Sequence, residues 1–417
     1  MGTILADTLR MKGLRCVGSS LGVGIALACL ATPVRAVIVL GSGVPAFNDT
    51  TVNPPTGAFL DSGLQFEGLF GGFLGTPIAP HYFVTANHIG GTVGDPIVFG
   101  GMAYPTTATF GDPLGSDLRI WQVSGAFPVF APLYLGTTSE IGKTLVAYGR
   151  GTQRGFDVTM GGNLAGWRWG PGDGVVRWGV NTVSAIVDAG SQGSLVTATF
   201  DQGASGLGPY ECHLSVGDSG GGLFIQESGV WKLAGIHYAV EGPFYDTPTG
   251  GSAFDAALFD SRGFYFDDGI GGRRLISGPG PLPSAFYSTQ ISGRLGWILS
   301  VTSPLEDPDG DGLANLAEYA FGSNPAASGS AANPVVAVVQ AGANAFVAIT
   351  YTRPKSTTDL AYLVEVSGDL LNWGSGNSFT TLVSDVDQGS TRLVTVRDNG
   401  PQSLNSQRFI RVRVTRP

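Results

Sequence analysis

The chain has 417 residues, room for two or three domains, and carries 65 glycines, 43% apolar residues and only 13% charged residues. That charged fraction is about half the usual ~25%, and Val, Thr and Phe fall in short runs broken by Gly and Pro, so the composition points to an all-β chain rich in turns. The net charge of −9 argues against nucleic acid or an anionic membrane as partner, since such surfaces need excess Lys and Arg.

At the N-terminus, residues 1–36 read as an export signal. Met11 is a credible start, Lys12 and Arg15 supply a positive flank, residues 20–32 are apolar, and Val34-Arg35-Ala36 offers small residues at the two cleavage-defining positions. Cleavage after Ala36 would expose Val37-Ile38-Val39. The expected product is secreted, extracellular or periplasmic, with no transmembrane segment, because no other apolar run approaches the ~18 residues a span requires. Of three cysteines, Cys16 and Cys29 fall in the signal and only Cys212 would remain, so no internal disulfide is expected. Cys212 reads as an idle buried thiol.

Three patterns then appear in order. Phe83-Val84-Thr85-Ala86-Asn87-His88 is an apolar strand ending in histidine. Ser116-Asp117-Leu118-Arg119-Ile120-Trp121-Gln122-Val123 is an aspartate opening an alternating strand. Gly217-Asp218-Ser219-Gly220-Gly221-Gly222-Leu223 is a serine in a glycine-rich turn leading into a strand. These types suit nucleophilic catalysis. A serine hydroxyl needs a base, and histidine titrates near neutral pH. A buried carboxylate holds the imidazole in one tautomer and stabilises its cation. Backbone N–H groups of a tight turn stabilise an oxyanion, so Gly217 and Ser219 are the expected donors. Asp112 competes for the acid role, but the apolar strand directly after Asp117 favours burying the latter.

The order His, Asp, Ser differs from subtilisin-type enzymes and from α/β-hydrolases. It resembles the trypsin/chymotrypsin family: VTANH is similar to that family's TAAH, SDLRIWQV to its DIAL segment, and GDSGG to its most specific signature. Leu233-Ala234-Gly235-Ile236-His237 resembles the strand after the nucleophile, and the segment ending in Trp297-Ile298 its C-terminal helix. The resemblance covers about residues 40–302. It implies a double β-barrel, a secreted serine endopeptidase acting on protein or peptide substrates, and His88, Asp117 and Ser219 as catalytic triad. It also implies that His213 stands at the floor of the primary pocket and His237 on its wall. Trypsin-like members carry aspartate at the floor, so trypsin specificity is disfavoured. Glutamyl endopeptidases carry a histidine at the wall, so cleavage after Glu or Asp is one expectation and a small or apolar pocket the other.

Several departures stand out. Only 29 positions separate His88 from Asp117, Asn87 replaces the usual alanine, and no IVGG activation sequence occurs. The family's zymogens pair a freed N-terminal amine with the aspartate before the serine, here Asp218; Val37 is placed to imitate that. A catalytically silent adhesin and an esterase on the same scaffold are the alternatives.

Past Val301, Asp307-Pro308-Asp309-Gly310-Asp311-Gly312-Leu313-Ala314-Asn315-Leu316-Ala317-Glu318 forms a twelve-residue loop with calcium-loop spacing. Oxygens on alternate residues converge, glycine permits the turn, and the last glutamate binds two-pronged. Asp307, Asp309, Asp311, Leu313 (through its carbonyl), Asn315 and Glu318 are the expected ligands of a structural Ca2+. The loop resembles single calcium-loop linkers of the thrombospondin type 3 or dockerin kind. Residues 331–417 alternate in five or more short runs, which predicts a small β-sandwich. The expected layout is signal 1–36, protease domain 37–303, calcium linker 304–330 and accessory sandwich 331–417, in a monomer needing no catalytic cofactor.

Overall fold

The computed structural model describes residues 37–136, 139–202, 207–269, 271–330, 332–402 and 407–417. The export signal therefore lies outside the described residues. The fold is all-β, with two short α-helices among the described residues, Leu295–Thr302 and Asn315–Phe321. Two compact units form: one holds the described residues up to Thr109 with Asp117–Ile291, the other Phe110–Ser116 with Ser292–Pro417.

In the first unit, six antiparallel strands between Gly68 and Val123 close into a barrel. Their inward side chains supply its core: Phe70, Phe83, Ile97, Phe99 and Trp121 are all buried, joined by Phe127 from the segment after the last strand. Each such side chain contributes roughly 1.5–3 kcal/mol through burial. The register that matters pairs Tyr82–Ala86 with Leu118–Val123, setting Ala86 opposite Leu118. Whatever follows Ala86 must therefore lie beside whatever precedes Leu118.

The rest of this unit centres on a seven-stranded antiparallel sheet in the order Arg177–Thr182, Thr144–Gly149, Gly222–Glu227, Val230–Val240, Ala285–Gln290, Ser194–Thr199, Ala185–Asp188. Its two end strands, Arg177–Thr182 and Ala185–Asp188, are consecutive in the chain, so the sheet curls back on itself. Asn181 Nδ2, on one end strand, reaches the strand next to the other end by donating to Thr199 O at 2.8 Å. Closure here is by side chain and turn, not by a continuous ladder. The enclosed core includes Leu145, Val183, Val196, Cys212, Leu223 and Phe286.

In the second unit, a four-stranded sheet (Val335–Ala341, Asn344–Pro354, Thr391–Asp398, Thr380–Asp387) faces a three-stranded one (Gly374–Ser375, Ala361–Ser367, Phe409–Thr415). Ile349, Tyr351, Val364, Val394 and Val396 fill the space between them with Phe321 from the second helix. The helix Leu295–Thr302 belongs to this unit. Arg416 near the chain's end donates to Ser300 O at 2.7 Å and pairs with Asp359.

Candidate active site

The barrel register delivers the first two groups. His88 lies on the turn that follows Ala86, and Asp117 immediately precedes Leu118. Asn87 N–H donates to Asp117 O at 2.6 Å and His88 N–H to Asp117 Oδ1 at 2.9 Å. The other carboxylate oxygen, Oδ2, stands 2.6 Å from His88 Nδ1. The opposite ring nitrogen, Nε2, lies 2.7 Å from Ser219 Oγ. Asp117 is only 6% exposed and His88 27%, so the acid is shielded while the imidazole faces the cleft. Asn87 accepts from Arg119 Nε at 2.7 Å, which steadies the turn from outside. Asp112 pairs with Arg294 inside the C-terminal unit instead.

Glycine fixes the serine turn. Gly220 has φ +82°, and a Cβ there would meet Thr85 Oγ1 at 2.4 Å and Leu74 O at 2.6 Å. Thr85 lies on the histidine's own strand, so the absent side chain lets serine and histidine approach. Gly217 also has positive φ, +92°. Gly220 N–H donates to His237 O, Gly221 N–H to Asp218 O and Asp218 N–H to Ser215 O.

Behind the serine, buried Asp218 accepts from Gly151 N–H at 2.8 Å, Ser215 N–H at 2.7 Å and Ser215 Oγ at 3.0 Å. The nitrogen of Val37 sits 3.3 Å from both of its carboxylate oxygens. Burial pushes the Asp218 pKa up to about 6, against the lowering effect of these donors. Val37 itself has φ +43°, a strained value for a β-branched residue.

His213 and His237 are both fully buried. His213 Nδ1 meets Leu214 O at 2.6 Å and Nε2 meets Ser284 Oγ at 3.2 Å. His237 Nδ1 meets Ser288 Oγ at 2.9 Å, while its Nε2 is buried without a described partner. Burial lowers the two pKa values to about 4 and about 3, so both rings are neutral at pH 7. Cys212 is a buried free thiol whose pKa burial raises well above the ordinary range.

Two neighbours carried no sequence signal. Tyr238 occupies a bulge between His237 and Ala239, and its ring stands edge-on to His88 at 6.0 Å; bulges re-aim side chains in this way. Glu67 is half-buried, with its carboxylate turned inward; it accepts from Gly222 N–H at 3.0 Å and is pushed by desolvation up to about 8. An isolated glutamate before a strand gives no hint of that placement.

In the second unit, carboxylate oxygens of Asp307, Asp309 and Asp311 converge within 4.8 Å. Asp307 accepts from Gly310 and Gly312 N–H, which curls the loop. Asp309 Oδ2, Asp311 Oδ2, Asn315 Oδ1 and both Glu318 oxygens are buried without hydrogen-bond partners among the described residues. Glu318 is fully buried, and its pKa rises to about 7 through burial and then the three aspartate charges. So many unpaired acceptors in one place suit a hard cation.

No family model and no curated relative matches the chain. Among solved structures, the secreted serine protease VesC from Vibrio cholerae aligns at TM-score 0.30 and 11% identity, over 82% of this chain and 65% of that one. The passenger domain of plasmid encoded toxin, an autotransporter enterotoxin from enteroaggregative Escherichia coli, aligns at TM-score 0.32 and 13% identity, over 54% of this chain and 21% of that one. The chain thus spans less than two thirds of either neighbour, and likeness this distant carries no weight for what it does.

Proposed function

We propose that this chain is a serine endopeptidase in which Ser219 is the nucleophile, His88 the general base and then acid, and Asp117 the group that orients His88. One observation carries the reading: a hydroxyl, an imidazole and a shielded carboxylate in line, at 2.7 and 2.6 Å. His88 Nε2 takes the Ser219 proton as Oγ attacks the peptide carbonyl, and Asp117 stabilises the resulting imidazolium. The N–H groups of Gly217 and Ser219 are the donors for the oxyanion, since the neighbouring turn donors engage backbone carbonyls. His88 then protonates the leaving amine, and water releases the acyl group by the same route. The chemistry requires no cofactor.

Export and activation join this reading. Among the described residues no helix is long and apolar enough to cross a membrane, and the N-terminal segment is read as a secretory signal. Removing it after Ala36 would turn the Val37 nitrogen, already beside Asp218, into an ammonium and abolish the φ constraint on that residue. The loop 307–318 would hold a structural Ca2+ through Asp307, Asp309, Asp311, Leu313, Asn315 and Glu318; the ion would offset their mutual repulsion and brace the loop. The sandwich after it is read as an accessory module for attachment or substrate binding.

A fluorophosphonate probe tests the assignment. Labelling of the wild type with none of Ser219→Ala, together with casein turnover falling by roughly 10⁶ in the variant, is expected. An unlabelled wild type would leave a silent binding protein as the better reading. Turnover of esters without casein cleavage would leave an esterase.

A further inference from the structure

On the reading of His213 as floor and His237 as wall of the primary pocket, the residue whose carbonyl Ser219 attacks lodges its side chain between two segments hydrogen-bonded around the serine turn. These are Cys212–Gly217, which leads into the turn, and the strand end His237–Val240. The strand Ala285–Gln290 lies alongside in a register that puts His237 opposite Ser288 and Val240 opposite Phe286. Side chains two apart on a strand share a face, so His237, Ser288, Phe286 and Val240 all project to one side.

There the space is taken. The Phe286 ring is fully buried. It stands edge-on to His213 with centroids 5.8 Å apart, and edge-on to His237 at 6.4 Å. The same phenyl ring thus contacts both histidines, and half-buried Val240 packs against the same cluster. We propose that Phe286, with Val240 at its rim, fills the primary pocket, so that the enzyme cleaves after small residues: glycine, alanine and serine.

This rests on the peptidase reading above and narrows its substrate class. It also decides against cleavage after Glu or Asp. His213 has both ring nitrogens engaged and is neutral, and His237 has one nitrogen engaged and is neutral. An incoming carboxylate would find no cation, and its side chain would need the volume that Phe286 occupies.

The test uses the full exported chain and blocked peptide amides that differ only in the residue before the scissile bond: Gly, Ala, Ser, Phe, Lys or Glu. The expected kcat/KM for Ala exceeds those for Phe, Lys and Glu by roughly 100-fold. Phe286→Ala should shift the Phe-to-Ala ratio toward Phe by at least about 10-fold, and Val240→Gly, which trims the half-buried rim and leaves Phe286 in place, should shift it the same way. Preference of the wild type for Phe, Lys or Glu overturns the proposal, as does a labelled enzyme that cleaves none of the small-residue peptides. Absence of fluorophosphonate labelling instead overturns the peptidase reading itself.

Discussion

Extending the chain before Val37 is the perturbation with the clearest expected cost. Compare a chain beginning at Val37 with one carrying Gly-Ser in front of it. In the first, a free ammonium lies where the Val37 nitrogen is now, 3.3 Å from Asp218; at an effective dielectric of about 20 the pair attracts by about 5 kcal/mol. Against this stands desolvation of the amine, which takes back several kcal/mol, here about 4. The burial that raises the Asp218 pKa from 3.8 to about 6 acts in both chains and cancels. Relief of the positive φ at Val37 returns about 1 kcal/mol. The balance of about 2 kcal/mol favours an ordered serine turn by roughly 30-fold. Active-site titration with a fluorophosphonate, alongside kcat/KM on one peptide, reads the active fraction directly. Equal titres and equal kcat/KM for the two chains would refute the reasoning, because the amine would then contribute nothing to the turn.

Two further outcomes follow from buried carboxyls. Glu67 holds its proton more tightly folded, at about 8, than its ordinary 4.5. The folded state therefore binds more protons than the unfolded one between those values, and stability falls as pH rises through that window, by at most about 5 kcal/mol. Thermal midpoints at pH 5 and pH 8.5 should differ in the wild type and draw closer in Glu67→Gln, with Asp218 and Glu318 supplying the remaining difference; parallel slopes would count against the assignment. In the calcium loop, an ion bound at 100 times its Kd stabilises by about 2.7 kcal/mol. Millimolar Ca2+ should therefore raise the melting temperature of the wild type and leave Glu318→Gln unmoved, and isothermal calorimetry should show the matching loss of binding. A wild type indifferent to Ca2+ and to chelator would remove the ion from the reading.

Local sequence decided a great deal here. The alternating strands, the glycine turn around Ser219, the acidic loop and the switch to a second β module are all short-range patterns, set by side-chain period and backbone freedom, and so are readable along the chain. The exposed strand Thr380–Asp387 buries almost nothing and so carries no such period. What tertiary structure alone decided are meetings between distant residues. Strand register put Asp117 beside His88, Gly220 let Ser219 close on both, and a bulge swung Tyr238 onto the imidazole. Glu67 arrived under the nucleophile's strand, and Phe286 came against both His213 and His237. None of these leaves a local trace, because pairing register and packing are settled by which apolar faces bury together, a property of the whole core and of no single segment.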